Sequence, residues 1–215
     1  MEKLGIAIKD KAGIYAAAAL IRRRPDLSFT VLYDPEGEAS DFYERNQARF
    51  QSMKLSPCLY LAEDYRGVNS FYDLLRDVRD KNFTVGLRDS DFNTEFLYHT
   101  LGDGLFHHSY VLHIMDDYAK RLSIEGTAVL GLLGYSYRAD DFARAFQEKG
   151  ATVVDPLAHW LSTIPKREEE GKLRLYWTVR DYNLERLMGE LLGEAVRFRK
   201  YYSHPWLRGE ATKKD

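Results

Sequence analysis

The chain has 215 residues, 31 basic and 33 acidic side chains, and a formal net charge of −2. A chain of this length can bury a sizeable core without disulfides or a structural metal, and 45% hydrophobic with 30% charged residues is an ordinary globular balance. The near-neutral charge provides no field that would attract nucleic acid or an anionic membrane. The single cysteine, Cys58, excludes an intrachain disulfide and suits a reducing compartment.

No targeting or membrane segment is evident in the sequence. The first residues become charged too soon for a secretory signal, and no apolar run approaches the roughly 20 residues that a membrane helix needs. We therefore expect a cytoplasmic protein. No linker divides the chain, which favours one domain over residues 1–205 followed by a flexible tail over 206–215.

Short apolar runs alternate with longer segments of helical periodicity along the chain. The predicted strands cover residues 4–8, 29–33, 58–61, 83–87, 128–133, 152–154 and 173–179. The predicted helical segments cover residues 12–24, 40–51, 70–81, 92–121, 139–149 and 184–202. The segment 92–121 is too long for one crossover helix, and Gly102-Asp103-Gly104 predicts a turn between two helices.

This alternation predicts an α/β fold with a mainly parallel sheet. Several runs are continuously apolar, as expected for strands that helices cover on both faces. We expect a three-layer, Rossmann-like open sheet of about seven strands. A βα barrel is the alternative, although a barrel usually needs about 250 residues.

Most predicted strands are followed directly by an aspartate. These residues are Asp10, Asp34, Asp64, Asp89, Asp91, Asp155 and Asp181. The carboxyl ends of parallel strands share one edge of a sheet, where ligands commonly bind. Aspartate is also a preferred residue for helix N-caps and turns, and we expect about two in three of these side chains to serve that structural purpose.

The densest acidic pair is Asp89-Ser90-Asp91, after the fourth predicted strand. Asp89 and Asp91 are candidate catalytic residues and candidate ligands for Mg²⁺, which one or two carboxylates typically hold. The pair does not begin a calcium loop, because Thr94 occupies the sixth position, where such a loop requires glycine.

A second candidate site lies in residues 127–156. A strand, a turn with Gly131 and Gly134, a helix, and a strand that ends at Asp155 form one βαβ unit. This unit resembles the nucleotide-binding half of Rossmann-type dehydrogenases. The resemblance implies that Gly131 and Gly134 lie near phosphate and that Asp155 faces a ribose. Tyr135 would supply stacking surface, and NAD(P) or S-adenosylmethionine would be the cofactor.

Histidines cluster around the predicted glycine turn: His99, His107, His108 and His113. An imidazole titrates near neutrality, so His107 or His108 is the preferred candidate for a general base. His113 lies three and four residues before Asp116 and Asp117, a spacing typical of a surface pair on a helix.

Three functional hypotheses follow. The first is an enzyme that binds a nucleotide-like or phosphorylated small molecule at the carboxyl edge of the sheet. The second is a Mg²⁺-dependent phosphoryl-transfer or hydrolytic enzyme that uses Asp89 and Asp91. The third is a non-catalytic binding or assembly subunit. The aromatic residues 198–202 are compatible with a homo-oligomer interface or with closure of the sheet.

Overall fold

The computed structural model describes residues 3–39, 59–60, 83–86, 91–121, 126–162 and 164–201. Helices and strands are numbered in chain order over these residues. The strands are β1 (Lys3–Ile8), β2 (Ser28–Tyr33), β3 (Leu59–Tyr60), β4 (Phe83–Gly86), β5 (Phe92–Asn93), β6 (Gly126–Leu130), β7 (Ala151–Val154), β8 (Leu173–Trp177) and β9 (Arg199–Lys200). The helices are α1 (Lys11–Arg23), α2 (Glu95–Asp103), α3 (Tyr110–Arg121), α4 (Ala139–Gln147), α5 (Pro156–Ser162) and α6 (Tyr182–Leu192), with a 3₁₀ helix over Leu133–Arg138.

The strands of the described residues form two parallel sheets. The first has five strands in the order β3-β1-β2-β8-β9, and the second has four in the order β5-β4-β6-β7. Every described pair is parallel. The predicted α/β class with parallel strands is therefore confirmed. The strands do not form one sheet of about seven, because the chain starts a second sheet at β4 and returns at β8 to pair with β2.

Helix α1 contacts elements that belong to or follow strands of both sheets. It packs on β1, α2, α6 and the 3₁₀ helix that follows β6. Residues 13–20 of α1 are all buried, and its four consecutive alanines, residues 16–19, allow this close approach on several sides. The helix begins at the N-cap Asp10, whose side chain accepts a hydrogen bond from the Gly13 amide at 2.9 Å. Helix α1, which follows β1, is thus packed against the 3₁₀ helix, which follows β6.

The two longest predicted helical segments, 92–121 and 184–202, both contain shorter helices in the structure. The segment 92–121 begins with the short strand β5, where a helix was predicted, and then forms two helices separated at the predicted glycine turn. The first helix ends at Gly104, which has a left-handed φ of 77°. The last helix, predicted over residues 184–202, ends at Leu192 instead. Gly193 adopts a left-handed φ of 75° there, and its amide closes the helix on the Gly189 carbonyl. The chain then extends into β9, so residues 198–202 are not helical as far as the structure describes them.

Some predictions concern residues that the structure does not describe. The helices predicted over residues 40–51 and 70–81, Asp64, Asp89, Cys58 and the tail over 206–215 lie outside the described residues. Within the described part of the chain, none of the helices has the length and apolar character needed to cross a membrane.

Candidate functional site

Three strand-end aspartates of the first sheet bind neighbouring backbone. Asp10 caps α1, and Asp181 caps α6 by accepting hydrogen bonds from the amides that begin that helix. Asp34 is fully buried after β2 and accepts from the Glu38 and Ala39 amides at 3.0 and 3.1 Å. Capping and turn formation account for these contacts, as expected for most of the row of aspartates.

Both carboxylate oxygens of Asp155, the predicted ribose ligand, form contacts with other residues of the protein. Its Oδ1 atom accepts from the Ser136 hydroxyl at 2.7 Å and from the Leu157 amide at 3.0 Å, which starts α5. Its Oδ2 atom forms an ion pair with the Arg23 guanidinium at the end of α1. The side chain therefore ties α1 to the second sheet, and both of its oxygens are used.

The predicted glycine turn packs tightly against α1. A Cβ atom added to Gly134 would lie 3.1 Å from the Ala12 carbonyl oxygen and 3.0 Å from the Leu101 side chain. The Gly131 amide donates to the Val85 carbonyl at 2.9 Å and so continues the sheet. A side chain at position 134 would crowd the backbone of α1, so the turn at Gly134 fits closely against that helix.

Tyr135, the predicted stacking residue, belongs to the core. Its ring is fully buried, and its hydroxyl lies 2.8 Å from the Thr94 hydroxyl. The Thr94 hydroxyl also donates to the Gly86 carbonyl at 3.1 Å, which joins the ends of β4 and β6 to the start of α2. The contacts described for Gly131, Gly134, Tyr135 and Asp155 are structural, and their role in binding a nucleotide stays a prediction.

Asp91 is the described member of the predicted magnesium pair. Its Oδ2 atom accepts from the Thr84 amide at 2.7 Å and from the Thr84 hydroxyl at 3.1 Å, so it binds the strand β4. Asp89 lies outside the described residues. Among the side chains that the structure does describe, no three His, Cys, Asp or Glu residues converge as a metal site would require. The catalytic and metal roles of this pair stay predictions.

His107 is the candidate residue around which the structure assembles further polar groups. Its Nδ1 atom lies 2.9 Å from the hydroxyl of Tyr15 in α1, and its Nε2 atom lies 3.5 Å from Oε2 of Glu190 in α6. Tyr15 is fully buried, whereas 19% of the His107 side chain and 44% of the Glu190 side chain are exposed. We call Tyr15, His107 and Glu190 the histidine cluster; it runs from the core to the surface.

The surroundings shift the proton affinities of two members of this cluster. Burial raises the pKa of the Tyr15 phenol well above its ordinary value, although hydrogen bonds from the backbone at His107 and Phe106 act in the opposite direction. Burial also lowers the pKa of His107, and the neighbouring His108 lowers it further, while the Glu190 carboxylate raises it. Tyr15 therefore stays a neutral phenol, and His107 favours the neutral imidazole at neutral pH.

A neutral imidazole in this position can act as a base or as an acid. The Tyr15 hydroxyl can donate to Nδ1 or accept from it, so it holds the ring in either neutral tautomer. With the proton on Nδ1, the Nε2 atom carries the lone pair of the ring and lies at the surface end of the cluster, beside the half-exposed Glu190 carboxylate. If Nε2 takes up a proton, the adjacent Glu190 carboxylate stabilises the charge that forms.

Arg138 fixes the backbone that carries the histidines. Its Nε atom donates to the Phe106 carbonyl at 2.6 Å, and its Nη2 atom donates to the carbonyls of His107 and His108. Its Nη1 atom pairs with Asp141 in α4 at 2.7 Å. A guanidinium group is planar and rigid, and its hydrogen-bond donors point in fixed directions. Arg138 therefore holds the turn between α2 and α3 in one orientation.

The other predicted histidine sites are more exposed. His108 is exposed, although its ring centre is 4.4 Å from that of His107. His99 and His113 are exposed on α2 and α3, so the four histidines do not converge. Sequence reasoning missed the partners of His107. Tyr15 lies in an alanine-rich helix and Glu190 in a charged one, and no local pattern distinguishes them from core and surface residues.

Comparison with solved structures identifies proteins with a similar fold. The structure resembles glutamate racemase from Thermus thermophilus in complex with β-chloro-D-alanine, with 18% identity over 93% of this chain and 96% of that one and a TM-score of 0.53. It also resembles the Francisella tularensis glutamate racemase in complex with D-glutamate, with 10% identity over 94% and 98% of the two chains and a TM-score of 0.53.

A third similar structure is glutamate racemase isoform RacE1 from Bacillus anthracis, with 14% identity over 94% and 97% of the chains and a TM-score of 0.50. No protein-family model matches the sequence, and no curated protein matches it significantly. At these identities the similarity establishes the fold, and the chemistry has to be argued from the residues of this chain.

Proposed function

We propose that this protein is an enzyme that moves a proton on a small carboxylate-bearing molecule, with amino acids as the first class to test. The observation that carries the proposal is His107, which is largely buried, has a lowered pKa and is held between Tyr15 and Glu190. A neutral imidazole with one nitrogen oriented by a phenol and the other beside a carboxylate is suited to general acid–base catalysis. His107 is the residue that takes up the proton on one face of the reacting carbon.

A cationic side chain lies beside Glu190, at the surface end of this cluster. Arg186 is one turn before Glu190 in α6, its side chain is 73% exposed, and its Nη1 atom lies 3.9 Å from a Glu190 carboxylate oxygen. The Arg186 charge is also among the influences that lower the pKa of His107. A guanidinium can bind a carboxylate through two parallel hydrogen bonds. Arg186 would hold the substrate carboxylate while Nε2 of His107 faces the reacting carbon.

The fold comparison supports the choice of substrate class. The similar structures are described as glutamate racemases, and one of them contains D-glutamate. Racemisation of an amino acid removes a proton from one face of a carbon and returns a proton to the opposite face, so it needs an acid–base group on each face, and His107 would serve one of them. A nucleotide is not part of this proposal, because Gly134 and Asp155 contact the protein's own α1.

Exchange of the α-proton tests the proposal directly. The protein is incubated in D₂O with a panel of L- and D-amino acids, and loss of the α-proton signal is followed by NMR. We expect exchange on at least one amino acid and a loss of about 100-fold or more in His107→Asn, since a general acid or base commonly contributes that much. His99→Asn removes an exposed histidine on α2 and serves as the matched control, which should exchange like the wild type. Arg186→Gln should raise KM more than it lowers kcat.

Two results would overturn the proposal. The first is the absence of exchange on every amino acid of the panel. The second is equal exchange by the wild type and His107→Asn. A thermal shift with an amino acid that is bound but never exchanged would identify a non-catalytic binding protein instead.

A further inference from the structure

A groove of about 550 Å³ runs along β8 on the first sheet, and none of the residues of the histidine cluster lines it. One wall is β8 with the residue before it, and the other is formed by residues 194–197 and Arg199. Phe198 anchors this second wall, because its side chain is buried and its amide donates to Oε1 of Glu185 at 2.9 Å. The groove is therefore built between two fixed segments and has the size of a ligand site.

Among the described residues, the edge of β8 that lines the groove is paired with another strand only at its C-terminal end. On one side, β8 pairs with β2 along its whole length, and on the other side β9 pairs with it only at Tyr176 and Trp177. The Lys172 carbonyl accepts from Phe29 in β2, so the backbone groups of the next residue, Leu173, point to the opposite side. Amide and carbonyl groups of β8 thus face the groove, where an extended segment could pair with them.

The side chains around the groove are mostly cationic. Lys172, Arg174, Arg197 and Arg199 line it, against the single acidic side chain of Glu194. All four cations are exposed, and none forms an ion pair with another residue of the described part of the chain. The whole chain carries a net charge of −2, so the positive charge around this groove is opposite in sign to the net charge of the protein. Such a local field favours an anionic partner.

We propose that the groove binds an extended acidic peptide segment, which adds to this edge of β8. The main chain of the segment would pair with Leu173, and its carboxylates would meet the surrounding cations. Lys172 and Arg174 are two residues apart and lie on the same face of the strand, so acidic residues at alternate positions of the segment would fit them. Strand pairing selects an extended main chain, and the cations select acidic side chains.

Fluorescence anisotropy with a labelled peptide tests this proposal. The probe is Glu-Val-Glu-Val-Glu, compared with Gln-Val-Gln-Val-Gln and with the acidic peptide N-methylated along its backbone. We expect only the unmodified acidic peptide to bind, with an affinity that falls as salt is added. The double variant Arg174→Gln/Arg197→Gln should bind at least about tenfold more weakly, since charge-assisted hydrogen bonds are lost. Arg121→Gln, at an exposed position at the end of α3, is the matched control and should bind like the wild type.

Three outcomes would overturn the proposal. One is no binding of the acidic peptide at millimolar concentration and low salt. Another is unchanged binding by the double variant, whose far-ultraviolet circular dichroism should match the wild type because both positions are exposed. The third is equal binding of the N-methylated peptide together with full competition by citrate. That result would identify a site for small anions without strand pairing.

Discussion

Replacing Arg24 should destabilise the fold more than any ordinary surface arginine would. Arg24 is 4% exposed at the C-cap of α1, and all five N–H positions of its guanidinium are used. Two bonds of 2.8 and 2.7 Å reach the Asp26 carboxylate. Three more reach the carbonyls of Leu161, Ile164 and Pro165 at 2.8 to 2.9 Å. One side chain thus joins the α1–β2 turn to the segment that leads from α5 towards β8.

The expected loss of stability follows from the polar groups that lose their partner in Arg24→Ala. The Asp26 carboxylate, 14% exposed, loses its ion pair, and three carbonyls lose a charged donor. Removal of one partner from a buried ion pair costs about 3–5 kcal/mol, against a total stability of roughly 5–15 kcal/mol for a domain. We expect a loss in that range. Arg24→Lys should fall between the alanine variant and the wild type, because lysine has fewer donors and no planar fork.

Urea unfolding followed by circular dichroism measures this loss. The matched control is Arg144→Ala, which removes an arginine that is 61% exposed and paired once with Asp141 at 3.2 Å. That change should cost about 0.5 kcal/mol or less. A loss below about 1 kcal/mol for Arg24→Ala, or equal losses for the two variants, would refute the reasoning.

Three further predictions concern single positions. The Arg24 guanidinium, hydrogen-bonded to Asp26, holds the pKa of that carboxyl well below its ordinary value of 3.8. The resulting stabilisation should be present above about pH 5 and should be lost progressively as the pH falls through 3.8 towards the lower pKa of the folded state. Acid unfolding of Asp26→Asn should accordingly show a flatter pH dependence than that of the wild type. The pKa of His107 is lowered from 6.5 in the folded state, so protonation favours the unfolded chain, and the stability that this contributes is lost as the pH falls below 6.5. His107→Asn should reduce the fall in Tm between pH 8 and pH 5, and an unchanged fall would contradict the assignment. Gly134→Ala should cost roughly 1–3 kcal/mol in urea unfolding, because its Cβ would crowd the Ala12 carbonyl; a neutral result would show that the contact relaxes freely.

The sequence was sufficient for the class of fold because its signals are local. Apolar runs predicted β1, β2, β4, β6, β7 and β8 to within a few residues, and glycines predicted the break between α2 and α3. The division into two sheets could not be predicted in this way. Nothing near residues 173–177 shows that β8 pairs with β2 rather than with β7, since strand pairing depends on contacts between distant segments.

The candidate site illustrates the same limit. His107 could be selected from the sequence because histidines are few and titrate near neutrality. Its partner Tyr15 lies 92 residues away in the chain, inside a helix whose composition indicates only close packing. Asp155 was selected for its place after a strand, a position that equally suits a cap and an ion pair with Arg23. Only the folded arrangement distinguishes these roles.

The state of His107 is the most direct test of the account. An NMR pH titration of the histidine side chains in the full chain, assigned with His107→Asn and His99→Asn, measures it. The account predicts that His107 titrates below pH 6.5, because burial and its cationic neighbours lower the pKa more than Glu190 raises it. A pKa of 6.5 or above for His107 would contradict a largely buried, neutral imidazole that is poised to take up a proton.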